Sequence, residues 1–295
     1  MLTTMSKNTA NQRAPSTPDA LLTRDDTSLS LLFIGAGSAF TKKFYQNNAL
    51  IVKGTDHVLI DCGSRTPEAL AALGLSVADV HTYLITHSHA DHIGGLEEVM
   101  LINRYVAKRK TTMVAPLAYR KFLWKHSLRG GASYNERVDG KYLRFDDFWD
   151  SAEMVPVPGA DRELCETRVG SIKLALFRTK HIPDSAPTWR SSSPSYGVVI
   201  DDRILFTSDT RYDPEMFDFL AKRYTLDAIF HDCQLYTGGV HASLEELRQL
   251  PAPLKAITSL MHYGDKVEDY AAKALEYGFK GFVQQWIPYI FENKH

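Results

Sequence analysis

The sequence predicts a mixed α/β fold with covered sheets, and three observations carry that expectation. Apolar runs of strand length come before, between and after stretches with helical apolar spacing, so strands and helices share one core. No internal repeat or heptad array divides the chain into modules, which argues against solenoids and coiled coils. The 295 residues, 44% of them hydrophobic, suffice for a sizeable core in a single domain. The widely spaced Cys62, Cys165 and Cys233 do not make a disulfide framework.

Residues 1–28 are rich in Thr, Ser, Asn, Asp and Pro and hold too little apolar surface to offset the entropy of ordering, so a disordered N-terminal tail is expected. Without an apolar central segment this stretch is not a secretory signal. One domain is expected over 29–295. Its first strand, 29–35, runs into the tight turn Gly35-Ala36-Gly37-Ser38. Strands at 49–53 and 57–61 are joined by Gly54-Thr55-Asp56 as a short hairpin. Residues 67–73 read as a helix started by Thr66 as N-cap and stopped by Gly74. Next come a strand at 80–86, an amphipathic helix at 94–106, a strand at 112–115 and a helix at 116–127. Residues 129–161 combine a glycine pair, scattered aromatics and Pro156 and Pro158, and read as a loop-rich insertion. Strands resume at 172–178, 197–201, 203–206, 227–230 and 256–260, with helices near 244–250 and 266–277.

Charge and hydropathy narrow the function classes. Thirty-four basic residues against 35 acidic ones leave a net charge of -1, so no global field draws the chain to nucleic acid. No apolar run approaches the roughly 18 residues of a membrane span. A soluble, cytoplasmic protein is expected.

Chemistry concentrates in Thr86-His87-Ser88-His89-Ala90-Asp91-His92, at the end of a strand and just before Gly94-Gly95 and a helix. Strand geometry points His87 and His89 to one face, and the following turn can bring Asp91 and His92 to the same opening. Imidazoles and a carboxylate at this density suit zinc, manganese or iron better than calcium. Further ligand-type residues stand just beyond apolar runs: His181 after 172–178, Asp209 after 203–206 and His262 after 256–260. Each could face a shared rim.

These ordered motifs, with Asp61, resemble the metallo-β-lactamase fold hydrolases across nearly the whole chain after residue 28. The resemblance implies an αββα sandwich with two divalent metal ions at one edge, zinc foremost and manganese or iron as alternatives. By it, one ion takes His87, His89, His181 and a bridging Asp209, and the other takes Asp91, His92, Asp209 and His262. Asp61 would orient a ligating imidazole, not bind metal itself.

Asp209 stands where β-lactamases of this fold carry a cysteine or lack a bridge, which disfavours antibiotic hydrolysis. Ile229-Phe230-His231-Asp232-Cys233 resembles the His-Glu or His-Asp element of the phosphodiesterase branch, which includes transfer-RNA 3′-processing endonucleases. The Gly/Pro-rich arm that clamps transfer RNA in that branch is missing. Gly35-Ala36-Gly37-Ser38-Ala39-Phe40, Asn47-Asn48-Ala49-Leu50-Ile51 and Gly239-Val240-His241-Ala242 are similar to the anti-Pycsar phosphodiesterases, which degrade cyclic nucleotides. The expected activity is therefore hydrolysis of a small phosphodiester, a 3′,5′-cyclic mononucleotide foremost. His231 is expected as general acid, Asp91 as the group accepting the nucleophile's proton and His241 as a substrate contact. The alternatives are a transfer-RNA or other RNA nuclease, with nucleic acid a less favoured partner, and a thioesterase of the same fold. The resemblance also implies a homodimer.

Overall fold

The computed structural model describes residues 18–25, 28–134 and 136–292. Two sheets face each other, with helices on their outer sides. The first sheet has the order Pro288–Glu292, Ser28–Gly35, Asn48–Lys53, Asp56–Ile60, Thr82–Leu84, Thr111–Val114, Trp149–Ser151. The second runs Gly281–Phe282, Thr258–Met261, Ala228–Asp232, Ile204–Phe206, Tyr196–Ile200, Ile172–Arg178, Leu164–Val169, Val155–Pro156.

Strand direction decides where the site lies. Ile204–Phe206, Ala228–Asp232 and Thr258–Met261 are mutually parallel, and Ile172–Arg178 joins their direction through two antiparallel pairings. In the first sheet Asp56–Ile60 and Thr82–Leu84 are parallel. The C-terminal ends of each parallel set therefore open together, the edge at which α/β sheets collect ligand-binding loops.

The period-2 alternation of the strands sorts the second sheet's residues. Leu174, Leu176, Val198, Ile200, Ile204, Phe206 and Phe230 join the core shared with the first sheet. Ala175, Phe177, Val199, Leu205 and Ile229 pack instead with the outer helices Pro214–Ala221, Leu244–Leu247 and Ala271–Glu276. Burial on both faces is why these strands read as nearly continuous apolar runs. Between the sheets, Phe33 meets Phe206 at 6.1 Å and Phe230 at 5.2 Å, ring centre to ring centre.

Several local expectations are corrected. Residues 1–17 of the expected tail lie outside the described residues, but Pro18–Leu22 is a short helix with Leu21 buried, and the first strand starts at Ser28. Thr66 is inside the helix Thr66–Ala72, and its hydroxyl accepts from Asn48 Nδ2 at 2.8 Å instead of capping. The 94–106 helix is a chain of pieces, Ala90–Ile93, Leu96–Leu101 and the π-helical Ile102–Ala107. The stretch 129–161 contains a two-stranded ribbon, then Trp149–Ser151 on the first sheet and Val155–Pro156 on the second. Its latter half is thus the crossover between sheets. Strands Leu164–Val169, Gly281–Phe282 and Pro288–Glu292 had no counterpart in the sequence reading. No helix among the described residues is long and apolar enough to cross a membrane.

Candidate active site

Each chemistry-bearing side chain leaves the end of a strand. His87, His89, Asp91 and His92 lie on the segment after Thr82–Leu84, and Ala90–Ile93 winds into one helical turn that swings Asp91 and His92 back toward the two earlier histidines. His181, Asp209 and His262 follow Ile172–Arg178, Ile204–Phe206 and Thr258–Met261. Asp61, Ser208 and His262 adopt left-handed backbone with φ of 62°, 52° and 62°. That conformation is costly for residues with a side chain, and its concentration here marks loops held in place by their surroundings.

The seven residues converge into two groups that share Asp209: His87, His89, His181 with Asp209, and Asp91, His92, His262 with Asp209. In the first group, His87 Nε2 and His181 Nε2 lie 3.6 and 3.7 Å from Asp209 Oδ2. In the second, His92 Nε2 stands 3.2 Å from Asp209 Oδ2 and 3.3 Å from Asp91 Oδ2, while His262 Nε2 is 3.3 Å from Asp91 Oδ2. Ligands on a tetrahedral ion with bonds of about 2.1 Å are themselves roughly 3.4 Å apart, so the spacing is that of a coordination shell. Both Asp209 oxygens and His92 Nε2 are buried with no hydrogen-bond partner. Buried polar atoms are ordinarily satisfied, and a divalent cation would satisfy all three. The donor set fits divalent metal ions.

The far side of most rings is anchored, which sets the tautomer and leaves Nε2 for the centre. His92 Nδ1 donates to Asp61 Oδ2 at 2.7 Å, and Asp61 also accepts from the amide and hydroxyl of Thr86 at 2.8 and 2.7 Å. His181 Nδ1 donates to the Val240 carbonyl at 2.8 Å, and His262 Nδ1 faces Asp232 Oδ1 at 3.3 Å. Ser208 Oγ donates to Thr86 Oγ1 at 2.9 Å, tying the Asp209 loop to the Asp61 support. Burial alone would raise the Asp209 carboxyl, but His262, His92 and His241 outweigh it and hold it well below the usual carboxylate range. Burial lowers His181 to about 4, so its imidazole is neutral and able to ligate.

His231, expected as general acid, has its ring turned away from the cluster. Its ring is fully buried on the outer face of Ala228–Asp232, stacked on Phe217 at 5.8 Å, with Nδ1 donating to the Asp232 carbonyl at 2.7 Å and Nε2 unpartnered. Burial pushes its pKa down. The next residue, Asp232, points to the opposite face and reaches the site. Its Oδ2 accepts from His241 Nδ1 at 2.8 Å and from the Thr210 amide at 2.9 Å. His241 stacks on His262 at 4.7 Å, and its Nδ1 is 3.8 Å from Asp209 Oδ2. Burial would lower the His241 pKa, but the carboxylates of Asp232 and Asp209 outweigh it and raise it. Beside this pair opens a cavity of about 310 Å³ lined by His241, His262, Gln234, Phe40, Tyr236 and Lys266 among others.

The model of the family "Anti-Pycsar protein Apyc1" matches residues 29–289. An anti-Pycsar protein Apyc1 of Bacillus phage vB_BsuM-Goe3 is 38% identical over 260 residues, 84% of this chain and 93% of that one. The chain belongs to the anti-Pycsar protein Apyc1 family. Among solved structures, the metallo-beta-lactamase fold protein YhfI from Bacillus subtilis superposes with a TM-score of 0.65 at 16% identity, covering 90% of this chain and all of its own. A diphosphatase from the PhnP family gives 0.63 at 15% identity, over 90% of this chain and 98% of that one. The αββα sandwich of the metallo-β-lactamase fold is therefore the architecture of this anti-Pycsar family member. Its His/Asp clusters are suited to divalent metal ions.

Proposed function

We propose that this chain is a metal-dependent phosphodiesterase that opens cyclic nucleotides, 3′,5′-cyclic mononucleotides foremost. The observation that carries the reading is the Asp232–His241 pair beside the seven-residue cluster, in which His241 also forms part of the wall of the adjoining cavity. Membership of the anti-Pycsar family supports the same substrate class. In this reading His87, His89, His181 and Asp209 would hold one zinc ion, and Asp91, His92, Asp209 and His262 a second. Ions held there would supply activation of a water at neutral pH and neutralisation of charge on the phosphoryl oxygens.

The chain's own groups do the rest. Attack on phosphorus leaves a ribose alkoxide, which needs a proton. His241 keeps its Nδ1–H on Asp232 and delivers a proton from Nε2 to that oxygen. Asp232 keeps the ring oriented and raises its affinity for the proton, the task of the carboxylate in hydrolytic triads. Asp91 accepts the nucleophile's proton. Asp61, Thr86 and the Val240 carbonyl hold the ligating rings so that substrate binding requires no rearrangement. A homodimer belongs to this reading, and sedimentation equilibrium tests it.

The deciding experiment pairs metal analysis of chelator-free protein with a turnover panel of 3′,5′-cyclic mononucleotides, cyclic dinucleotides, a linear diester, a thioester and precursor transfer RNA. Two ions per chain and fastest turnover of a cyclic mononucleotide are expected. Efficient trimming of transfer RNA or thioester cleavage, without cyclic-nucleotide turnover, would overturn the reading.

A further inference from the structure

The cavity beside His241 carries two side chains that neither the fold nor the metal cluster explains. Phe40 is 87% exposed and Tyr236 70% exposed, and both line this cavity. A large aromatic ring left in water is unfavourable for folding, and two of them on the walls of one cavity point to an apolar ligand face. Both sit on loops fixed from behind. The Asp265 carboxylate accepts from the Lys42 and Lys43 amides at 2.9 Å and from the Thr41 hydroxyl, which clasps the turn just after Phe40. The Tyr236 loop is closed at its base by Gln234 N donating to the Ala242 carbonyl at 2.8 Å, and His241 lies on its return leg.

A second observation concerns Gln234, which is buried and lines the same cavity. Its Nε2 donates to the Gly238 carbonyl, which ties the Tyr236 loop across its neck and fixes the cavity wall. Two exposed aromatic rings on one fixed wall are what the plane of a nucleobase requires.

We infer that this cavity is the seat of the substrate's nucleobase, with Phe40 and Tyr236 taking the base's faces. The inference rests on the phosphodiesterase reading above and deepens it. The scissile phosphate lies at the cluster and the base in the cavity, with His241 and His262 on the wall they share. Phe40 and Tyr236 then select substrate without taking part in proton transfer.

The test compares a base with its absence. Phe40→Ala and Tyr236→Ala should each lower kcat/KM for 3′,5′-cyclic AMP by roughly 5- to 100-fold, mostly through KM, the range that base–aromatic stacking gives on alanine substitution. For methyl riboside 3′,5′-cyclic phosphate, which lacks the base, both variants should match wild type. In a parallel calorimetric arm, AMP should bind the wild-type protein more tightly than ribose 5-phosphate, and the variants should lose that difference. Equal losses on both cyclic substrates, or none on either, would overturn the base seat. If wild type turns over no cyclic nucleotide, the functional reading falls, and calorimetry alone decides the seat: no preference for AMP over ribose 5-phosphate rules it out.

Discussion

His231 and Asp232 are neighbours on one strand and serve different halves of the molecule. Side chains alternate along a strand, so Ile229 and His231 face the outer helices while Phe230 and Asp232 face inward. The sequence reading placed a catalytic histidine at this segment. The structure turns the Asp232 carboxylate toward the cluster, and the histidine that carboxylate meets is His241, nine residues on. Phe230 held the signal: an aromatic residue destined for the inter-sheet core sets the parity, and Asp232 shares it. His241→Ala should therefore slow hydrolysis of a cyclic nucleotide by ~100- to 10,000-fold with metal content unchanged. The loss should shrink for bis(p-nitrophenyl) phosphate, whose leaving group needs no proton. His231→Leu should retain kcat within a few-fold and stay within about 1.5 kcal/mol of wild-type stability, because a similar volume replaces a ring with an unpartnered Nε2. Rates on both esters, with metal analysis and urea melts, check the pair. A His231→Leu variant that folds, holds metal and is inactive would restore the sequence's first choice.

Among the elements, the shortest ones hold the site. Leu244–Leu247 is a single turn of helix, and Ser243 begins it with a capping box: Ser243 Oγ accepts from the Glu246 amide at 3.3 Å while Glu246 Oε2 accepts from the Ser243 amide at 2.9 Å. This cap lies two residues after His241 and locks the end of its loop. Ser243→Ala should lower stability by about 1 kcal/mol. The cap variant should also weaken catalysis through His241, and thermal denaturation beside kcat separates the two effects. Unchanged melting would mean that the cap does not anchor the loop. Legibility followed the same division of scale. The strands that deliver His87, His181, Asp209 and His262 were readable because burial on both faces makes them apolar throughout. Leu164–Val169 was not, because Glu166, Thr167 and Arg168 face partly outward on a strand near the sheet's edge. Pro288–Glu292 was hidden by a proline at its first position and by its own edge placement. His87, His89 and His92 showed themselves through density within the seven residues 86–92. His241 had no such companions in sequence, and its partners Asp232, Asp209 and His262 meet it only in the fold.

The whole molecule is a pair of sheets joined where buried, like-charged groups meet. Asp91 and Asp209 both approach His92, and ions that bind only the folded arrangement stabilise it by mass action. At 100 times Kd a bound ion contributes about 2.7 kcal/mol, which for a domain of this size shifts Tm by roughly 5 °C. Removing metal with a chelator should lower Tm by about that amount, and restoring zinc should recover it. A melting curve indifferent to both treatments would show that the cluster does not bind ions in the folded state.

The crossover at 152–163 has a further consequence, because the chain passes from one sheet to the other there and Pro158 and Gly159 are exposed. A cut at that point would leave His87, His89, Asp91 and His92 on one piece and His181, Asp209, Asp232, His241 and His262 on the other. Neither piece alone could assemble either ligand set. Their reunion has a built-in handle, since Pro288–Glu292 of the second piece pairs with Ser28–Gly35 of the first. The fold is thus laid out as a two-part switch: two separately expressed polypeptides would be silent apart, and hydrolysis would report only on their encounter.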